Sequence, residues 1–109
     1  TGHGAVNEVH ALSGTTSSVI DFGAVIPSNF TICSATRYTG AAKYQILNGG
    51  RANWLHGHHG GKEGAAYYEG WKTAAQHGIL SLSTDWLVMC ATNAGSQLKL
   101  ANGIDVGIA

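Results

Sequence analysis

The chain has 109 residues, of which only 11% are charged, and its six basic and six acidic side chains leave a formal net charge of zero. That length fits one domain, which we assign to residues 1–109. The neutral balance gives no electrostatic reason to expect nucleic acid or an anionic membrane surface as a partner. No apolar run approaches the roughly 20 residues that a spanning helix requires, so membrane insertion is not expected.

Short apolar stretches separated by turn residues run along the sequence, and the 16 glycines suit frequent turns. The clearest stretch alternates, so that Phe30, Ile32, Ser34, Thr36 and Tyr38 share one face of a strand. About nine such stretches, with turn signals every 8 to 12 residues, indicate an all-β sandwich or barrel. In chain order, the predicted strands are Ala5–Leu12, Ser18–Ile26, Phe30–Tyr38, Lys43–Leu47, Ala52–His59, Ala65–Trp71, Trp86–Ala91 and Gln97–Ala101, followed by a short strand with Ile104 and Val106.

Turn residues predict how these strands are connected. The glycine-rich segment Gly60–Gly64 indicates a hairpin between the strands on either side of it. A second hairpin is predicted where residues 93–96 connect two apolar strands, and Asn102-Gly103 indicates a tight turn after it. Gln76–Gly78 marks a further break.

The two cysteines, Cys33 and Cys90, lie in separate apolar stretches. A disulfide requires Cα atoms within about 7 Å, which a sequence does not establish, and both residues also suit a dry core as free thiols. We favour the free thiols and leave the disulfide open. The sequon at Asn29 leaves glycosylation open as well, because so short a pattern often occurs by chance.

Four segments, taken in order, resemble those of laminin G-like and concanavalin A-like jelly rolls. Residues 30–35 (FTICSA) are similar to the family's FTISAW strand, and residues 46–49 (ILNG) to the ILS-G segment that follows it. Residues 86–89 (WLVM) resemble the WHHVALV strand, and residues 98–107 (LKLANGIDVG) the closing LYVNGVLVG. The resemblance covers Phe30 to Gly107 and implies a sandwich of two antiparallel sheets, usually found in extracellular proteins that bind sugars or other proteins.

Members of this family are longer than this chain, so the resemblance implies an incomplete jelly roll without some edge partners. Free edges invite pairing with a second copy, and we therefore expect a homodimer, formed either by pairing of edges or by strand exchange. Many lectin-like members hold Ca²⁺ through clustered acidic side chains. The acidic residues here are scattered, so neither a metal site nor another cofactor is expected. They are Glu8, Asp21, Glu63, Glu69, Asp85 and Asp105.

The densest polar and aromatic segment is 53–60, where Trp54, His56 and His58 project from one strand face. Tyr68 and Glu69 on the next strand are expected beside them. Aromatic rings stack on the apolar faces of sugars while a few polar groups bind hydroxyls, so these five residues are the predicted ligand-binding set. The alternatives are that the rings fill the core, that the histidines are structural or solvent-facing, or that the two histidines contribute to a metal site.

No catalytic residues are predicted. A retaining glycosidase needs two carboxylates on one strand face, and no such pair exists; the Gly-x-Ser-x-Gly nucleophile motif is also missing. The sequence and the resemblance together predict a non-catalytic, lectin-like module that binds carbohydrate outside the cell or at its surface. The alternative is a structural or adhesion domain that recognises an extracellular protein or a second copy, with no sugar ligand.

Overall fold

The computed structural model describes residues 2–74, 84–94 and 99–108, and in these ranges the chain forms β-strands and no helix. Accordingly, no described segment is a helix that could cross a membrane. The strands are β1 (Thr31–Thr36), β2 (Leu47–Asn48), β3 (Trp54–His59), β4 (Lys62–Tyr68), β5 (Leu87–Thr92), β6 (Leu100–Ala101) and β7 (Ile104–Asp105). The prediction of an all-β chain is confirmed.

The strands form two antiparallel sheets in a sandwich-like arrangement. One sheet has the order β1-β5-β6-β7 and the other the order β2-β3-β4. In the larger sheet the register runs from Thr31 opposite Thr92 to Thr36 opposite Leu87. Backbone bonds also join the segment after β4 to the end of the chain, since the Ile108 amide donates to the Lys72 carbonyl oxygen (3.3 Å).

The facing sides of the two sheets enclose an apolar core. Alternation along β5 turns Leu87, Met89 and Ala91 inward, where none is more than 1% exposed. Full burial of a side chain of the size of Leu87 or Met89 contributes about 1.5–3 kcal/mol. The other buried members are Ala66, Tyr68, Ala101 and Val106, with Phe30, Ile32 and Trp54 packed partly buried against them.

Cys33 and Cys90 are directly opposite one another in the β1–β5 pair and form a disulfide, with their Cα atoms 4.1 Å apart. Our preference for free thiols in the core is therefore wrong. The cause is the register, because both residues project from the outer face of the sheet rather than into the core, and Cys33 is exposed. No free cysteine remains.

The predicted hairpin at Gly60–Gly64 and the tight turn are confirmed, and so is the pairing of the two strands of the second hairpin, whereas residues 95–98 of its predicted loop and second strand lie outside the described residues. β3 and β4 pair as a hairpin around Gly60 and Gly61, and β5 pairs with β6. Asn102 and Gly103 form a two-residue turn between β6 and β7 with φ values of 48° and 80°, as a type I′ turn requires. The Asn102 side chain extends the sheet, because its Oδ1 accepts from the Val88 amide (2.8 Å).

The first two predicted strands, Ala5–Leu12 and Ser18–Ile26, are wrong. Residues 6–29, which we name the arm, form no strand, and their side chains are exposed. Apolar content alone suggested strands there, but a strand requires a neighbour that accepts its backbone hydrogen bonds. The predicted strand Lys43–Leu47 is displaced to β2, whose two residues pair with His56 and Leu55. The predicted break at Gln76–Gly78 lies outside the described residues.

Candidate functional site

The inner face of the three-stranded sheet carries four of the five predicted site residues. Trp54, His56 and His58 project inward from β3, and Tyr68 projects inward from β4 opposite Trp54. Both histidines have no exposed surface, and Tyr68 is 6% exposed. The Tyr68 ring stacks against both the Trp54 ring (centroids 5.4 Å apart) and the His56 ring (6.2 Å). The structure thus brings the rings of Trp54, His56 and Tyr68 together on the inner face of the sheet, which also carries His58, packed against Tyr38.

Glu69 does not join this group. It follows β4 with a φ of 53° and is exposed. Its amide donates to the Asn53 carbonyl oxygen (3.0 Å), which fixes the turn after β4. The ligand contact of the five residues stays a prediction; in this conformation only Glu69 and the partly buried Trp54 have appreciable exposed surface.

Hydrogen bonds of His56 connect the two sheets. The Tyr68 hydroxyl lies 2.6 Å from His56 Nδ1, and the Met89 carbonyl oxygen of β5 lies 3.3 Å from Nε2. A carbonyl oxygen only accepts, so Nε2 carries the proton and Nδ1 accepts from the hydroxyl. Burial lowers the pKa of His56 to about 4, and burial also raises the pKa of Tyr68. Both groups are therefore neutral at pH 7, as this pattern of bonds requires.

His58 and Glu63 form a second buried polar pair. His58 Nδ1 lies 3.3 Å from the Thr36 hydroxyl of β1, while Nε2 is 4.0 Å from Glu63 Oε1, beyond hydrogen-bonding distance. Burial, with a smaller contribution from His56, lowers the pKa of His58 to about 4, and burial raises the pKa of Glu63. Among the described residues, His58 Nε2 and Glu63 Oε1 have no hydrogen-bond partner, and the same holds for Ser34 Oγ and Trp54 Nε1.

A bulge in β4 explains why Glu63 is buried. Gly57 pairs with Ala65 and the next residue, His58, pairs with Glu63, so Gly64 is an extra residue in β4. Its φ of 80° is accessible to glycine at little cost. The bulge reverses the alternation, and Glu63 points inward beside His58. Sequence reasoning missed this residue, for which Gly64 was the one available signal.

Lys99 is a second buried polar residue that sequence reasoning missed. It has no exposed surface, and its Nζ donates to the Ala94 carbonyl oxygen (2.9 Å). Burial lowers the pKa of Lys99, with nearby Lys72 acting in the same direction. Lys99 lies within the predicted strand Gln97–Ala101, and a charged residue flanked by two leucines gave no indication of this position.

The outer face of the three-stranded sheet carries three partly exposed rings, which belong to His59, Tyr67 and Trp71. The Trp71 ring lies edge-to-face with both neighbours, at centroid distances of 5.2 Å to Tyr67 and 5.8 Å to His59. Gln45 Nε2 lies 3.3 Å from His59 Nδ1 and adds an amide to the edge of the patch. We call His59, Tyr67, Trp71 and Gln45 the aromatic patch. His59 and Tyr67 occupy strand positions that alternate with the inward-facing set, and Trp71 follows β4 and forms an isolated bridge with Tyr67.

A small cavity of about 120 Å³ lies where the start of the chain meets β5. Trp86 is half-buried here, and the Arg37 guanidinium lies 5.7 Å from its ring centroid. Trp86 comes one residue before the inward-facing Leu87, so the alternation of β5 places it on the outer side, where its amide donates to the His3 carbonyl oxygen (2.8 Å). The lining residues are Gly2, His3, Ala5, Val9, Arg37 and Trp86.

Within the described residues, no group of three histidine, cysteine or acidic side chains is placed to hold a metal ion. Comparison of the chain with models of protein families, with curated proteins and with solved structures finds no match. The function must therefore be argued from the geometry of the chain itself.

Proposed function

We propose that this chain is a non-catalytic, lectin-like module with a laminin G-like jelly roll, and that it binds carbohydrate through the aromatic patch. The observation that carries the proposal is the cluster of three partly exposed rings on an outer sheet face, with the Gln45 amide at its edge. Rings present apolar surface to the C–H faces of a sugar, and amide and imidazole groups bind its hydroxyls.

The proposal assigns sugar contact to the aromatic patch rather than to the inward-facing rings of β3 and β4. His56 and His58 are fully buried and bind β5 and β1. Contact between these histidines and a sugar would require the two sheets to separate, whereas Trp71 and Tyr67 are accessible without any rearrangement. The inner set is assigned a structural role, in which its polar groups fix how one sheet lies on the other.

A secreted or cell-surface location belongs to the same proposal. Its support is the Cys33–Cys90 disulfide, because disulfides persist in oxidising compartments and are rare in the cytosol. The low proportion of charged residues and the neutral balance favour an uncharged ligand over a polyanion.

A glycan-array screen of the folded chain, with and without EDTA, tests the proposal. We expect a reproducible signal that EDTA does not change and that Trp71→Ala weakens by at least about tenfold, equivalent to about 1.4 kcal/mol. Tyr44→Ala is the matched control, since Tyr44 is an aromatic residue that is 68% exposed and is not one of the four residues of the patch. A blank array on folded protein would favour the adhesion alternative.

A second comparison tests which face of the β3–β4 hairpin contacts the sugar. The double variant His56→Gln/His58→Gln is expected to lower the stability and to leave sugar affinity unchanged under conditions where it is folded. If it abolishes binding while the far-ultraviolet spectrum is intact, the inner face contacts the ligand and the assignment to the aromatic patch is wrong.

A further inference from the structure

The arm, residues 6–29, presents an unusual amount of apolar side chain to solvent. Val6, Leu12 and Val19 are each more than 80% exposed, and Phe22 is 66% exposed. Only two residues of the arm, Glu8 and Asp21, are acidic, and none is lysine or arginine. Segments that remain solvated tails are rich in charge and poor in apolar residues, so this composition is typical of a segment that has a binding surface.

The total surface area of the chain supports the same conclusion. It is 7058 Å², whereas a folded monomer of 11.3 kDa exposes about 5,700 Å². The excess of about 1,300 Å² is more than the roughly 800 Å² that each partner buries in a standard protein interface. The surplus is therefore as large as a stable dimer needs.

The outer face of the four-stranded sheet is a matching apolar surface over β1, β5 and β6, with Asp105 of β7 at its edge opposite Leu100. β1, β5 and β6 contain no charged residue. Val88 lies at the centre of this face and is 56% exposed, and Leu100 beside it is 37% exposed. An antiparallel sheet with one solvated face usually carries polar residues there, whereas Ala35 and the disulfide complete an apolar surface around Val88.

The arm is fixed at both ends and does not cover this face of its own chain. Near its start, the His3 carbonyl oxygen accepts from the Trp86 amide (2.8 Å), and just after its end the Phe30 amide donates to Asn93 Oδ1 (3.1 Å). The two attachments lie at opposite ends of β5. The residues between them form no strand and their side chains are exposed, which leaves the apolar ones within reach of another molecule.

We propose that the arm of one copy packs on the outer face of the four-stranded sheet of a second copy, and that the second copy does the same in return. Each chain carries both the arm and the face, so the exchange closes with two-fold symmetry and leaves neither surface free. The dimer buries the arm without separating the sheets of either chain. It also leaves the aromatic patch, which lies on the other sheet, open to ligand.

Light scattering coupled to size exclusion, over a wide range of concentrations, tests the dimer with two charged substitutions. Val88→Glu alters the face and Phe22→Glu alters the arm; each is expected to weaken the dimer by at least about tenfold. Tyr44→Glu is the control, because Tyr44 is equally exposed but lies outside both surfaces. Its dimer is expected to match that of the unmodified chain.

Mixing the two variants tests the exchange itself. A Val88→Glu chain keeps an intact arm and a Phe22→Glu chain keeps an intact face, so a mixed pair forms one intact contact that neither variant forms alone. We therefore expect the mixture to dimerise at least about tenfold more tightly than either variant by itself. Absence of this rescue would overturn the arm-to-face exchange, even if the unmodified chain is a dimer.

Two other results would also overturn the proposal. One is an unmodified chain that is monomeric at every concentration, including the case in which the arm's amides are protected from hydrogen exchange because it folds onto its own sheet. The other is a dimer that Val88→Glu and Tyr44→Glu weaken equally. Sugar binding is measured separately, and a monomeric variant is expected to bind sugar normally, so failure here is distinguishable from failure of the proposed function.

Discussion

The arm and strand β5 contain similar apolar side chains, but those of the arm are exposed and those on the inner face of β5 are buried. Leu12 and Val19 of the arm are 86% and 83% exposed, while Leu87 and Met89 of β5 are fully buried. β5 has a neighbouring strand on each side and a facing sheet, whereas no described strand pairs with the arm. The difference shows that burial in this protein depends on a partner for the backbone as well as on apolar composition.

The largest expected effect concerns the disulfide between β1 and β5. Replacing both Cys33 and Cys90 by serine frees a loop with a sequence separation of 57 residues. The chain-entropy relation predicts a loss of about 4 kcal/mol in the free energy of unfolding, measured by urea denaturation. The unmodified chain treated with a reducing agent is the matched control and is expected to lose the same amount. Equal stability of the oxidised and reduced chains would contradict the prediction.

A leucine in each region provides the next comparison. Leu87→Ala removes a fully buried side chain and leaves a cavity, so we expect a loss of about 3 kcal/mol. Leu12→Ala removes an 86% exposed side chain and is expected to change stability by less than about 0.5 kcal/mol. Both are measured at concentrations where the chain is monomeric. Similar losses for the two variants would show that the arm is part of the folded core.

Histidines in the two regions are expected to respond differently to acid. His56 and His58 have pKa values of about 4 in the folded chain, against an ordinary value of 6.5. Between pH 6.5 and pH 4 only the unfolded chain takes up protons at these histidines. Their contribution to the free energy of unfolding is therefore complete above about pH 6.5 and is lost as the pH falls towards 4. At pH 5 the loss is about 2 kcal/mol for each histidine. Glu63, whose pKa is raised, acts in the opposite sense, because acid relieves the cost of burying its charge.

Urea denaturation between pH 8 and pH 4.5 measures this difference. His56→Gln removes one titrating group and is expected to reduce the loss between pH 7 and pH 5 by about 2 kcal/mol. The control for the substitution itself is His10→Gln in the arm, where the side chain is 92% exposed. Stability that is constant from pH 7 to pH 5 would contradict the low pKa values.

The smallest effect is expected at two glycines with similar backbone angles. Gly57 in β3 has a φ of 94° and Gly23 in the arm has a φ of 71°. At Gly57 an added Cβ would meet only ordinary contacts, 3.7 Å from Leu87 and Thr36, so Gly57→Ala costs about 1–2 kcal/mol through backbone strain alone. Gly23→Ala should leave stability unchanged, because the arm can relax. A thermal melt of both variants distinguishes them.

Local patterns in the sequence predicted much of the body of the fold. The alternating segment Phe30–Tyr38 contains β1, and the Asn102-Gly103 pair correctly predicted the last turn. Both signals depend only on residues that are neighbours in the sequence. The alternation also placed Trp54, His56 and His58 on one face. It did not reveal which face was buried, since Leu55 and the aromatic patch make the opposite face of the hairpin similarly apolar.

The features that were missed depend on contacts distant in sequence or on small shifts of register. The disulfide required knowledge that β1 lies beside β5, and Glu63 turned inward only because Gly64 forms a bulge. The arm was misassigned because its apolar composition suits strands, while no described strand accepts its backbone hydrogen bonds. These errors share a cause: the side-chain pattern of one segment does not specify which other segment packs against it.

The order of the strands along the chain has a consequence for how the protein is made. β1 is synthesised first, but its partner β5 emerges only after all three strands of the other sheet. The β3–β4 hairpin closes through a local turn and is able to form early, whereas pairing across so long a stretch of chain is slow. During that interval β1, which carries no charge, has an unpaired edge. Folding yield should therefore depend strongly on protein concentration, because newly made chains compete with β5 for the same edge.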